Sequence, residues 1–245
     1  MYKFFDHFGH HVWGETIGET WLSLVKAALD YGETTYDEDR KRLSLQNVVY
    51  QINHFDLPDL LLEKYANKKN IDALIYLTFE GREMHDFDIK PSFGSGARSY
   101  HARITDSRML DYVVKRLSQI PESKKAVMSF IHWGDYKAIL DTPYDDYLPC
   151  HTSIQFRILE KKGKYIMNII SHFRSIDIFQ KSCGDFVITA MLAEKVKSAL
   201  TQKLTKPIEF GPMMGVITDA HIYNECYDEA KKTIINYQKA KQKTP

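Results

Sequence analysis

Cysteine is scarce in this chain, with three residues among 245 and no Cys-x-x-Cys spacing. That excludes a disulfide framework and a zinc knuckle, and it fits a reducing, cytoplasmic setting. Net charge is equally scarce. Lys and Arg number 33 against 32 Asp and Glu, a formal +1, so there is no global field to hold polymeric DNA, RNA or an anionic membrane. A small anion would have to be gripped by a few placed cations. Apolar runs long enough to cross a membrane are missing, and Met1-Tyr2-Lys3-Phe4-Phe5-Asp6-His7 has no cleavable signal. Linkers, repeats and low-complexity blocks are missing too. One domain over residues 1–245 is therefore expected, with a core at about 16–223 and a polar helix and tail at 224–245. Aromatics, by contrast, are plentiful: 15 Tyr and 13 Phe supply rings for a core and for stacking pockets.

Hydrophobic spacing predicts the elements. Thr16 and Glu19 form a capping-box pattern, and Ile17, Trp21, Leu24, Val25, Ala28 and Leu29 recur at helical spacing until Gly32. A charged turn, Asp37 to Arg42, leads into an alternating strand through Val48, Tyr50 and Ile52. Leu57 to Gly81 reads as largely helical, Phe93-Gly94-Ser95-Gly96 as a loop, and Met109 to Leu117 as a helix. Ala126 to Phe130 is a strand. Ile154, Phe156 and Ile158 alternate, Lys161-Lys162-Gly163-Lys164 turns the chain, and Tyr165 to Phe173 returns, which makes a hairpin. A helix through Phe186, Ala190 and Val196, a strand toward Ile217, and a polar helix from about Tyr223 complete the chain. Strands and helices mix without a βαβ rhythm, so the expected class is α+β, a mixed β-sheet packed by helices.

Two short motifs carry chemistry. Pro149-Cys150-His151 opens a strand and offers a thiol nucleophile; Arg174-Ser175-Ile176-Asp177 offers a planar guanidinium for bidentate grip of a phosphate, with a hydroxyl beside it. Taken alone, a single Cys is more often a buried core residue, and an Arg-Ser pair is more often a surface feature. Cys150 and His151 point to opposite faces of a strand, which argues against a Cys-His hydrolase.

In order, Leu148-Pro149-Cys150-His151 with Gln155-Phe156, then Arg174-Ser175-Ile176-Asp177, then Asp219-Ala220-His221-Ile222-Tyr223, resemble the thymidylate synthase and deoxycytidylate hydroxymethylase superfamily. The short archaeal-type synthases are most alike, and the similarity runs from about Ile17 to Tyr223. The resemblance implies a thymidylate synthase-like fold and a homodimer. Its substrate would be a pyrimidine nucleoside monophosphate, with 5,10-methylenetetrahydrofolate or a related reduced pterin as one-carbon carrier. It implies that Cys150 adds to ring carbon 6 and that Arg174 and Ser175 bind the phosphate. Asp177 falls in the same substrate-binding block, and His221 and Tyr223 hold the sugar hydroxyl. Arg40, in Asp39-Arg40, matches a second phosphate clamp, with Arg42 as the alternative because the flanking glycine pattern is absent. Lys124-Lys125 stands where the family has an Arg-Arg pair that reaches the partner's phosphate, and lysine lacks the bidentate fork. For the family's active-site Glu, the candidates Glu63, Asp72 and Glu80 do not align cleanly.

Eight residues after Asp177, where the resemblance places a base-reading Asn, stands Asp185. Within the resemblance, Asn goes with uracil and Asp with cytosine. A carboxyl sharing a proton with the cytosine ring nitrogen can accept from the 4-amino group, whereas a carboxylate facing a 4-oxo group is repelled. Asp185 can also be read as a helix N-cap. A short C-terminus leaves a wetter site, which favours hydroxide over hydride capture and so a hydroxymethyl product. The leading expectation is a cytidylate 5-hydroxymethyltransferase. The alternatives are a thymidylate synthase that tolerates Asp185 and a non-catalytic nucleotide-binding module.

Overall fold

The computed structural model describes residues 2–5, 9–89, 91, 97–141 and 147–243. The Phe93–Gly96 loop expectation lies outside them. In chain order the elements are β1 (Tyr2–Phe5), β2 (Gly9–Gly14), α1 (Ile17–Tyr31), β3 (Glu33–Asp37), β4 (Arg40–Ile52), α2 (Leu60–Tyr65), α3 (Lys68–Phe79), β5 (Glu83–Met84) and β6 (Ala97–Arg98). There follow α4 (Tyr100–Asp106), α5 (Met109–Gln119), β7 (Val127–Ser129), α6 (Trp133–Asp141), β8 (His151–Lys161), β9 (Lys164–Phe173) and β10 (Ile176–Asp177). The chain closes with α7 (Ser182–Thr201), β11 (Ile208–Tyr223), a 3₁₀ turn at Asn224–Cys226 and α8 (Tyr227–Lys243). The class is α+β, as the mixture of periods predicts.

The main sheet runs β1-β2-β4-β11-β9-β8-β7, with β3 attached to β4 and β10 to β11. Pairing is mixed. β11 lies antiparallel to β4 and parallel to β9, while β8 and β9 form an antiparallel hairpin turned by Lys162 and Gly163, both at positive φ. The charged run expected as a turn is itself a hairpin: β3 and β4 pair from Asp37↔Arg40 to Glu33↔Ser44. β3 buries little, so no hydrophobic alternation announces it.

One face of the sheet is covered by α1 and α7, around which a single apolar core gathers Trp21, Tyr50, Phe156, Phe173 and Phe186. α1 begins as the capping pattern predicts, with Thr16 Oγ1 accepting from Glu19 N at 3.2 Å. The Glu19 carboxylate reaches back to Glu15 N at 2.9 Å. The expected helix at Leu57–Gly81 is broken in two because Asn67 caps a new start, its Oδ1 accepting from Lys69 N at 3.0 Å. α7 is buried nearly all round, which suits a helix wedged between the sheet and α1, α3 and α5. Among the described residues no helix is long and apolar enough to cross a membrane.

Candidate active site

The β8–β9 register builds the site. Because His151 pairs with Phe173, the residues just outside the hairpin's open end, Cys150 and Arg174, stand side by side, and Arg174 N donates to Cys150 O at 3.0 Å. The guanidinium folds back over the same segment, Nε donating to Pro149 O at 3.2 Å and Nη2 to Leu148 O at 2.6 Å. After Arg174, β10 runs parallel to β11 and sets Asp177 beside His221, with Ile178 N donating to His221 O at 2.9 Å. Trp21 of α1 ties down this crossing by donating from Nε1 to Ile178 O at 2.9 Å. Ser175 Oγ lies 3.4 Å from His221 Nδ1.

These segments enclose a cavity of about 450 Å³. Cys150, Arg174, Ser175, Asp177, Arg40, His221 and Tyr223 all line it, and so do Asp88 and Lys181. Among the described residues, five carboxylates in the wall (Asp37, Glu38, Asp39, Asp88, Asp177) stand against three cations (Arg40, Arg174, Lys181). A phosphate there would depend on the local grip of individual cations.

Each residue sits in a distinct chemical state. Burial pushes the Cys150 thiol above its ordinary value; Arg174 and Lys181 pull it down, and Asp185 and Asp88 push it further up. Burial wins, so the thiol is protonated at neutral pH although Arg174 acts in the expected direction. His151 lies on the other side of the strand, fully buried and stacked on Phe173 with ring centroids 4.1 Å apart, its pKa lowered to about 3 by burial. It is a neutral core residue. Cys183 and Cys226 are also buried, and burial pushes both thiols up to about 12.

Arg174 is exposed at the mouth, with guanidinium hydrogens left for a ligand. Arg40 is more committed. Its Nε donates to Glu225 Oε1 at 2.8 Å and its guanidinium lies 3.4 Å from the centre of the Tyr223 ring, whereas Nη1 is buried with no hydrogen-bond partner among the described residues. Arg42 is paired with Asp219 at 2.8 Å and lies outside the lining. Tyr223 donates its hydroxyl to Asp37 Oδ2 at 2.9 Å. Asp177 is occupied by its own turn: Oδ1 accepts from Phe179 N at 3.0 Å and Gln180 N at 2.9 Å, and Oδ2 accepts from Gln180 Nε2 at 2.7 Å.

Asp185 lies one turn inside α7 and is not its N-cap, a place held by Lys181. It sits behind the cavity wall, not in the lining, 3% exposed and in electrostatic reach of Cys150, Tyr147 and Lys181. Its carboxyl accepts no hydrogen bond from the described residues, and burial, opposed by Lys181, pushes its pKa up to about 7. Glu63, Asp72 and Glu80 are exposed and away from the cavity, and Lys124 and Lys125 are exposed near β7.

Two lining residues escape sequence reading. Lys181 Nζ lies 3.0 Å from Asp86 Oδ1 and 2.9 Å from Asp88 Oδ1, a buried ion-pair cluster beside the thiol. The available signal was Asp86-Phe87-Asp88, two carboxylates that a local turn gathers, Asp88 N donating to Asp86 Oδ1 at 3.1 Å.

Comparison with known proteins identifies a family. The family model for thymidylate synthase matches residues 78–244. A protein from Methanosarcina barkeri (strain Fusaro / DSM 804), described as "Putative thymidylate synthase", is 22% identical over 230 residues, covering 92% of this chain and 95% of its own.

Proposed function

Since the chain belongs to the thymidylate synthase family, whose chemistry is one-carbon transfer to carbon 5 of a pyrimidine nucleotide, we propose that it hydroxymethylates a cytidylate through a Cys150 adduct. The observation that carries this reading is the pairing of Cys150 with Arg174 on one cavity wall, with the carboxyl of Asp185, which accepts no hydrogen bond from the described residues, behind it. Addition of the sulfur to ring carbon 6 makes carbon 5 nucleophilic. Arg174 and Ser175 hold the phosphate at the mouth, and Arg174 also draws the thiol toward thiolate. Arg40 contributes through Nη1, which lies 3.8 Å from Asp88 and makes no hydrogen bond among the described residues, and His221 is the sugar-side group, its Nδ1 3.4 Å from Ser175 Oγ. Asp177 and Tyr223 shape the wall through the bonds they already make.

A carboxyl with a pKa of about 7 suits cytosine, since it can share a proton with the ring nitrogen while accepting from the 4-amino group. A reduced pterin would supply the one-carbon unit, and Pro91, Ile139, Tyr147 and Leu148 form the apolar part of the wall suited to a flat ring. Hydroxide capture is favoured because α8 packs along α1, with Lys241 Nζ 3.5 Å from Glu19, and no described residue of α8 lines the cavity. A homodimer is supported by the sheet face that α1 and α7 leave open, where Leu159, Ile170 and Val216 are 38%, 37% and 36% exposed.

One observation favours a second reading, methylation of a uridylate. Lys181, four residues before Asp185 and in the wall, can donate to the 4-oxo group that a carboxylate repels. Incubation with each 5-tritiated pyrimidine monophosphate and the methylene carrier separates the two. Tritium release from a cytidylate with a hydroxymethyl product mass supports the first, and a methyl mass from a uridylate supports the second. Nucleotide binding with no release from any substrate would overturn both.

A further inference from the structure

Replacing the hydrogen on carbon 5 requires a base. Among the described residues, the buried carboxylates in the cavity wall are Asp88 and Asp177, since Asp37, Glu38 and Asp39 are exposed in the β3–β4 turn. Asp177 has both oxygens engaged by its own turn. Asp185 lies outside the lining and is assigned to the base in the reading above. Asp88 remains, 7% exposed, on the same cavity as the Cys150 thiol. Its neighbours come from several elements: Lys181 from the start of α7, Asp86 from its own segment, and Arg40 from β4, with Nη1 at 3.8 Å and Glu225 behind it. Asp177 from β10 and the thiols of Cys150 and Cys226 complete the surroundings.

We propose that Asp88 accepts the proton lost from ring carbon 5, and that Lys181, braced between Asp86 and Asp88, is its positioning residue. The proposal rests on the one-carbon-transfer reading above. Once carbon 5 carries the one-carbon unit, the carbon 5–hydrogen bond breaks and the proton passes to the Asp88 carboxylate. The electron pair left on carbon 5 forms a double bond to the one-carbon unit, and the bond from that unit to the carrier nitrogen breaks, its pair staying with the nitrogen. A carboxylate suited to this task titrates near the working pH. Burial pushes Asp88 up to about 6, with Lys181 holding it down against Asp177 and Asp86. This arrangement also accounts for the missing family Glu: the proton-handling carboxylate sits on a different segment.

The test is the pH profile of tritium release from the accepted pyrimidine monophosphate, read beside nucleotide affinity, for the wild type, Asp88→Asn, Asp88→Glu and Lys181→Met. The wild type shows an acid limb near pH 6. Asp88→Asn lowers release about 100-fold while nucleotide affinity holds within about threefold. Asp88→Glu keeps the ion pair but moves the carboxylate by a methylene, and lowers release about tenfold at unchanged affinity. Lys181→Met moves the acid limb to higher pH, because the cation that favours the charged carboxylate is gone. Unchanged release in Asp88→Asn, or in Asp88→Glu should the Asn variant not fold, overturns the proposal. So does a Lys181→Met variant that is slower with its limb in place. A wild type that releases no tritium from any pyrimidine monophosphate would instead remove the underlying reading.

Discussion

On the proposed reading, the environment of Asp185 bears on both specificity and stability. Buried and accepting no hydrogen bond from the described residues, its carboxyl is held near pH 7, between an acid that can donate to a cytosine ring nitrogen and a carboxylate that accepts from the 4-amino group. Asp185→Asn should therefore lower the cytidylate-to-uridylate ratio of kcat/KM about 100-fold, the size of one to two mispaired buried groups. The same substitution has a stability signature. A carboxylate whose folded pKa is raised contributes stability below its unfolded value near 4 and loses it as pH rises through about 7. Asp185→Asn should raise the melting temperature at pH 8, and do so less at pH 5; a shift equal at both pH values would show that charge burial is not the cause. Cys150, Arg174 and Ser175 were legible in sequence because each sits in a short contiguous motif. Asp88 and Lys181 were not, since their pairing exists only once the segment after β5 meets the start of α7.

At the scale of elements, the site is a product of strand register. The β8–β9 hairpin was readable from its alternation and its Gly163 turn, whereas the register that sets Cys150 beside Arg174 came from the structure. β3 and α6 were not readable. β3 is an exposed charged edge, and α6 buries none of its side chains, so neither leaves an apolar pattern. The junction of α1 and α2 depends on a residue that local patterns did not single out. Asp59 caps α2 by accepting from Leu61 N at 2.8 Å and Leu62 N at 3.2 Å, and also takes Gly18 N of α1 at 2.7 Å. Asp59→Ala should cost about 2 kcal/mol, measured by urea unfolding, since it removes a cap and leaves a buried N–H unpaired. A loss below about 0.5 kcal/mol would mean that water replaces all three bonds.

Across the whole molecule, one apolar core holds the sheet against α1 and α7, and His151, next in sequence to Cys150, is embedded in it. Its pKa is lowered to about 3 by burial, so the unfolded chain takes up a proton below about 6.5 that the folded chain refuses. Stability is then lost as pH falls from about 6.5. The melting-temperature gap between His151→Phe and the wild type should move in the variant's favour from pH 7 to pH 4, and a gap independent of pH would place the ring's titration elsewhere. On the proposed reading, the fold as a whole also has to hold a pyrimidine so that one sulfur reaches carbon 6, and this leaves a trace even without a carrier. In heavy water, reversible addition at carbon 6 lets carbon 5 exchange its hydrogen. Proton NMR of a cytidylate monophosphate with the wild type should show the carbon 5 signal fading and the carbon 6 doublet collapsing to a singlet, with neither change in Cys150→Ala. Equal exchange in both proteins, or none with any pyrimidine monophosphate, would contradict the account.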